Sequence, residues 1–229
     1  MKTVVRSDGA KDMTKNKRKP GRMSEQRRER IRLEISREAA RLFWEQGVAA
    51  TSGEQIADAV GISVRTLWRY FRNKESCAEP VLVQDAEEFV SVLRRWPREI
   101  SLEEHLTTWV TERPKDPDTQ AYDQAVIRMT VLANTEPALR SAWLMANDQV
   151  EREFVEIIAN RLRRPTDDLE VRMHAAAATS VLRVISEDIS AALMAGADHA
   201  SIKNSKPLER MADAVRVATD GVLGDPVEP

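Results

Sequence analysis

The sequence has one cysteine in 229 residues, three histidines far apart, and eight glycines. A lone cysteine cannot close an intramolecular disulfide, which excludes a secreted disulfide scaffold, and the histidine spacing does not suit a metal site. None of the glycines forms a phosphate loop or a dinucleotide pattern, and no nucleophile is placed with a base, so neither a catalytic residue, a metal nor a cofactor is expected. The apolar stretches stop well short of the roughly 18–20 residues of a membrane span, and the N-terminus lacks the apolar run of a signal peptide. A cytosolic chain is the expectation. Net charge is only −2, but its distribution is uneven. Residues 1–75 hold 18 Lys and Arg against 10 Asp and Glu, and the remainder holds 17 against 27. The front of the molecule is built to meet a polyanion, and the rest is not.

What is present is helical. Residues 1–23 are basic, nearly free of apolar side chains and interrupted by Pro20-Gly21, and read as a disordered arm. From Ser24 the apolar residues Ile31, Ile35, Ala39, Leu42 and Phe43 recur at three- and four-residue steps, and Gly47 ends that helix. Ser52 with Gln55 has the form of a capping box for a second, short helix that Gly61 stops. Ser63 can cap a third from Val64 to Tyr70, and Asn73 a fourth beginning at Lys74. Two short helices joined by a glycine-containing turn have the form of a helix-turn-helix. Downstream no strand-like alternation occurs, and five further helices are expected at about 101–112, 118–133, 136–163, 167–195 and 207–223. The fold class is therefore all-α, with a helix-turn-helix unit at 24–75, a larger helical unit at 76–223, and a tail at 224–229.

The segment from Thr51 to Glu75 closely resembles the DNA-binding signature of the tetracycline-repressor (TetR) family. It has Ile56-Ala57 in the second helix, the Gly61-Ile62-Ser63 turn, Thr66-Leu67-Trp68 in the recognition helix, and Tyr70-Phe71 followed by Asn73-Lys74-Glu75 at the exit. The likeness continues more weakly through the long helices behind residue 80. A recognition helix must present donors to base edges and flank them with phosphate contacts. Val64 and Arg65 occupy its first turn, where Arg65 can fork to a guanine and Val64 can touch a thymine methyl. The resemblance implies phosphate contacts for Thr66, Trp68, Tyr70 and Lys74, and for Ser52 at the start of the second helix. Arg65 stands where the family often has Gly, which implies a different operator sequence.

In the second half, helix 167–195 has two apolar rows. One comprises Val171, Ala175, Ala178, Leu182, Ile185 and Ile189, and the other Met173, Ala177, Val181 and Val184. A helix apolar on two faces needs neighbours on both. With Met211 and Val215 of the last helix, the residues Ala175, Ala178, Leu182, Ile185 and Ile189 are assigned to the homodimer interface that the resemblance implies. The resemblance also implies a small-molecule cavity, for which Trp96, Trp109, Tyr122, Met129, Trp143 and Met173 are candidate walls. His105, Arg128 and Asn147 are candidate polar contacts. Cys77 is expected to be a small buried hydrophobe. Pro80 is placed in the second turn of the fourth helix, where it should remove a hydrogen bond and kink the link between the two units. The expected function is a homodimeric regulator, a repressor that leaves double-stranded operator DNA on binding a small apolar or amphipathic effector. The alternative is an interaction module that kept the fold and lost DNA binding.

Overall fold

The computed structural model describes residues 20–197 and 206–227, and among them every regular element is helical. Helix α1 spans Pro20–Gln46, so the first four residues of its opening turn, 20–23, belong to the stretch read as an arm. The remainder of that arm lies outside the described residues. Gly47, at φ +89°, ends α1 in the left-handed region that side-chain-bearing residues avoid. Helix α2 (Gly53–Ala59) starts as its sequence dictates: Gln55 N–H donates to Ser52 Oγ at 3.3 Å, and Ser52 N–H donates back to Gln55 Oε1 at 2.7 Å. Gly61 turns the chain at φ +67°. Ser63 then caps α3 (Val64–Tyr70) by accepting from Thr66 N–H.

The entry to the second unit differs from expectation. Asn73 does cap a turn, accepting from Ser76 N–H at 2.8 Å, but that turn is a short 3₁₀ helix, Glu75–Ala78. Helix α4 begins afresh at Glu79 and runs to Arg94, with Pro80 in its opening turn. The first N–H groups of a helix have no intrahelical acceptor, so proline there removes nothing and its fixed φ suits the start. The expected kink at Pro80 is therefore corrected to a junction of two helix types just before it.

Beyond this come α5 (Leu102–Glu112), α6 (Pro117–Ala133), α7 (Pro137–Leu162), α8 (Leu169–Met194) and α9 (Pro207–Ala218). Helix α4 packs on α7, α7 on α8, and α9 bridges α8 and α5, while α1 lies against α4 and α6. One apolar cluster runs unbroken from Ile35, Phe43 and Leu67 to Leu139, Ile158 and Val215. Helix α9 stops five residues earlier than expected. Asp220 and Gly221 take positive φ there, and the chain turns back so that Thr219 Oγ accepts from Leu223 N–H. The segment read as a tail is tied to the body by Leu102 N–H to Gly224 O, Val227 N–H to Arg98 O, and Arg161 to Asp225 O.

Burial within the single chain differs between the two rows of α8. Ala175 and Ala178 are fully buried, Leu182 and Ile185 nearly so, Ile189 is half-buried, and on α9 Val215 is fully buried and Met211 half-buried. These seven residues pack within one chain, and those with no free surface cannot meet a second copy. The other row of α8 stays open: Met173 is 62% exposed and Val184 54%, with Ala177 and Val181 half-buried between them. Within the single chain α7 and α9 cover the row that continues Val171, and among the described residues Met173 and Val184 of the second row stay uncovered.

Candidate nucleic-acid interface and cavity

The positive end of the molecule is organised around α3. Leu67 is fully buried beneath it, which turns Arg65, Trp68 and Arg69 outward and leaves Val64, Thr66 and Tyr70 half-buried. Arg65 has no ion-pair or hydrogen-bond partner among the described residues and stands free in the first turn. Val64 packs partly on the core, so only its outer edge is available to a base. The Thr66 hydroxyl lies 2.9 Å from Ser63 Oγ. Tyr70 is flanked by two guanidiniums, Arg28 from α1 at 5.9 Å and Arg69 at 5.6 Å from the ring centre. The sequence reading did not single out Arg28 and Arg69. The unbroken basic run at Arg27-Arg28 was a usable signal for the first.

Two residues at this surface are held in ways that spacing does not reveal. The Trp68 indole is 42% exposed and lies on Gly53, the first residue of α2 and next to Ser52, so a Cβ at position 53 would overlap the ring. Lys74 is turned inward. Its ammonium donates to the carbonyl oxygens of Val48 at 2.6 Å, Thr51 at 2.8 Å and Ala49 at 3.3 Å. Three N–H groups meet three carbonyls of the α1–α2 connection, so the phosphate contact implied for Lys74 competes with a structural task.

A second feature lies in the regulatory unit: a partly open cavity of about 230 Å³ bounded by α4, α5, α7, α8 and α9. Of the nine residues proposed for ligand contact, it brings together Trp109, Trp143 and Asn147. The rest lie elsewhere for definite reasons. Trp96 is sealed under the Arg161 guanidinium, 3.6 Å from its ring centre, and its Nε1–H donates to Ile100 O. His105 Nε2 donates to Val92 O at 2.8 Å, joining α5 to α4. Met129 is fully buried within the helix packing, Met173 stands on the open row of α8, and Arg128 on α6 does not reach the cavity. Tyr122 lines a neighbouring cleft under Arg37, whose guanidinium stacks 5.5 Å from its ring, and Trp109 forms a wall of both spaces.

The cavity walls are apolar apart from a few groups. Trp143 Nε1 and Thr179 Oγ1 are buried without a protein hydrogen-bond partner. Leu182 and Met211, placed by sequence in the dimer interface, are cavity walls instead. Asp85 of α4 also faces the space, and the sequence reading missed it. It interrupts the apolar row Leu82, Ala86, Phe89 and Leu93, and a charged residue in such a row is the signal that was available. Burial, reinforced by the nearby Glu88 and Asp123 carboxylates and only partly countered by Arg113, pushes the Asp85 carboxyl up to about 7. Cys77 is fully buried as expected, and burial raises its thiol to about 12. Among the described residues no cluster of His, Cys, Asp or Glu could hold a metal ion, and no helix is long and apolar enough to cross a membrane.

Comparison with known proteins agrees with this geometry. The family described as bacterial regulatory proteins, tetR family, matches residues 35–81, and the MftR C-terminal domain matches residues 101–216. The HTH-type transcriptional regulator TcmR of Streptomyces glaucescens is 32% identical over 164 residues, which cover 69% of this chain and 73% of that protein. Salmonella enterica GusR shares the fold, with a TM-score of 0.54 at 21% identity over 84% of this chain and 95% of that one. A matched DNA-binding segment, a matched regulatory segment and a curated relative spanning most of both converge on one assignment: the chain belongs to the TetR family of bacterial transcriptional regulators.

Proposed function

We propose that this DNA-binding regulator is a repressor that grips a near-palindromic operator as a homodimer and leaves it when a small apolar or amphipathic molecule fills the cavity walled by Trp109 and Trp143. The observation that carries the reading is that α4 belongs to both halves of the device. Its first turn is bonded to α1 of the DNA-binding unit through Val81 and Ser36, and one turn later it contributes Asp85 to the cavity wall. A ligand that prefers one position of α4 therefore acts on the seat of the recognition helix, to the extent of its differential affinity.

At the DNA, Arg65 and Val64 read base edges, and Ser52, Thr66, Trp68 and Tyr70 supply phosphate contacts, joined by Arg28 and Arg69, while Lys74 holds the α1–α2 connection beneath them. The dimer forms through the open row of α8, Met173, Ala177, Val181 and Val184, which holds two α3 helices about one turn of DNA apart. Footprinting on the DNA upstream of its own gene, paired with a reporter driven by that DNA, tests the reading. Protection of two symmetric half-sites and a rise in reporter output on deleting the regulator are expected. Binding to random DNA that stays flat between low and high salt would instead favour a module that has lost DNA recognition, because phosphate contacts must weaken with salt.

A further inference from the structure

The cavity has one charged group in its wall, and it is acidic. Among the described residues Asp85 is the only Asp, Glu, Lys, Arg or His that lines the space, and the remaining walls are apolar or neutral, with the aromatic faces of Phe89, Trp109 and Trp143 among them. Behind it, Arg113 is engaged by Glu88 and by Asp123, the latter at 2.7 Å. The group of Asp85, Glu88 and Asp123 thus sets three carboxyls against one guanidinium. Among the described residues Asp85 makes no hydrogen bond and no ion pair within the protein, and Arg113 counters its charge only partly and without touching it.

We propose that the effector is a cationic amphiphile, an apolar or aromatic body that carries an ammonium-type charge toward Asp85. The inference rests on the reading of this cavity as the effector site and names the class of molecule it takes. Burial disfavours the ionised form of a carboxyl in an apolar wall, and a cation seated beside it favours that form and is held by it, which a neutral body does not do. Aromatic faces around the same space add attraction for a cation over the ring. An anionic ligand meets the reverse situation: no basic side chain in the wall, and a carboxyl with two further carboxylates behind it. The volume of about 230 Å³ suits a small ring system with its charged head.

Three probes of closely matched shape test this: naphthylmethyl-trimethylammonium, its uncharged isostere neopentylnaphthalene, and naphthylacetate. Binding to the full-length protein is followed by calorimetry and by quenching of tryptophan fluorescence. The cation should bind at least about tenfold more tightly than the isostere, with naphthylacetate weakest, and Asp85→Asn should erase the preference while retaining affinity for the isostere. Equal affinity for cation and isostere in the unaltered protein, which needs no variant to measure, would overturn the assignment of ligand class and leave the cavity reading standing. A preference for naphthylacetate would overturn it in the same way. If none of the three binds, the cavity reading fails, and the ligand class fails with it.

Discussion

Val81 N–H, in the first turn of α4, donates to Ser36 Oγ of α1 at 3.1 Å, in a fully buried contact between residues 45 positions apart. The start of a helix leaves its first amides without intrahelical acceptors, and here one of them is satisfied by the DNA-binding unit. Replacing Ser36 with Ala strands a buried donor and should lower stability by roughly 1–3 kcal/mol. Calorimetric melting of the full-length variant checks this. Pro80→Ala, one residue away, should change stability by less than about 1 kcal/mol, because the proline sits where no helical bond is lost. A large effect at Pro80 with none at Ser36 would contradict the junction described above.

Arg65 and Lys74 should separate cleanly. Arg65 is free and outward, so Arg65→Ala should leave the fold intact and relax choice at one base pair per half-site, by about 1–3 kcal/mol. Lys74→Met removes three bonds to the α1–α2 connection, and its first effect should be on stability, about 1.5–3 kcal/mol, in urea titration. Binding selection on randomised operators measures the first. If Arg65→Ala weakens all sequences alike, Arg65 contacts phosphate and not bases.

The two rows of α8 predict opposite failures. Leu182→Arg forces a long charged side chain into the packed wall of the cavity that also holds Asp85, and the overpacking should destabilise the single chain by roughly 1–3 kcal/mol. Val184→Arg acts on an exposed residue, so the chain should stay folded while sedimentation shows it shifted to monomer. A folded, dimeric Val184→Arg protein that still binds operator would move the interface elsewhere.

Asp85 gives stability a particular pH dependence. Its carboxyl ionises at about 7 in the folded chain, above its ordinary value, because burial disfavours the charge. The folded state therefore holds a proton that the unfolded chain has already released, and stability should fall as pH rises from about 4 to 7 and then level off. Asp85→Asn should flatten this slope and raise the melting temperature by several degrees at pH 8, with little change at pH 4. Thermal melts across that range decide it.

The helix-turn-helix was readable because its signals are local: Ser52, Gln55, Gly61 and Ser63 each act within a few residues of themselves. The function of a side chain on a long helix is not local. Helix α8 shows two apolar rows in sequence, but which of them faces α7 and α9 is fixed by packing, and the row expected at the interface is the one most buried within the chain. Trp96 and Trp143 look alike in sequence, and only the placement of Arg161 seals one while the cavity takes the other. Lys74 matched a phosphate-binding position by its neighbours, and its carbonyl partners lie more than twenty residues away in the chain.

The packing of Trp68 on Gly53 reaches beyond this one molecule into how such surfaces diverge. The indole covers the first residue of α2, so any side chain at position 53 collides with the ring. Position 53 therefore cannot gain a side chain while the ring stays where it is, whereas the ring can shrink first. Across descendants of this sequence the two should be inherited as a couple: glycine at 53 wherever tryptophan stands at 68, and a larger residue at 53 only where the ring has shrunk. Arg65 carries no such partner, so the base-reading position is free to drift toward new operators while the pair beside it stays fixed.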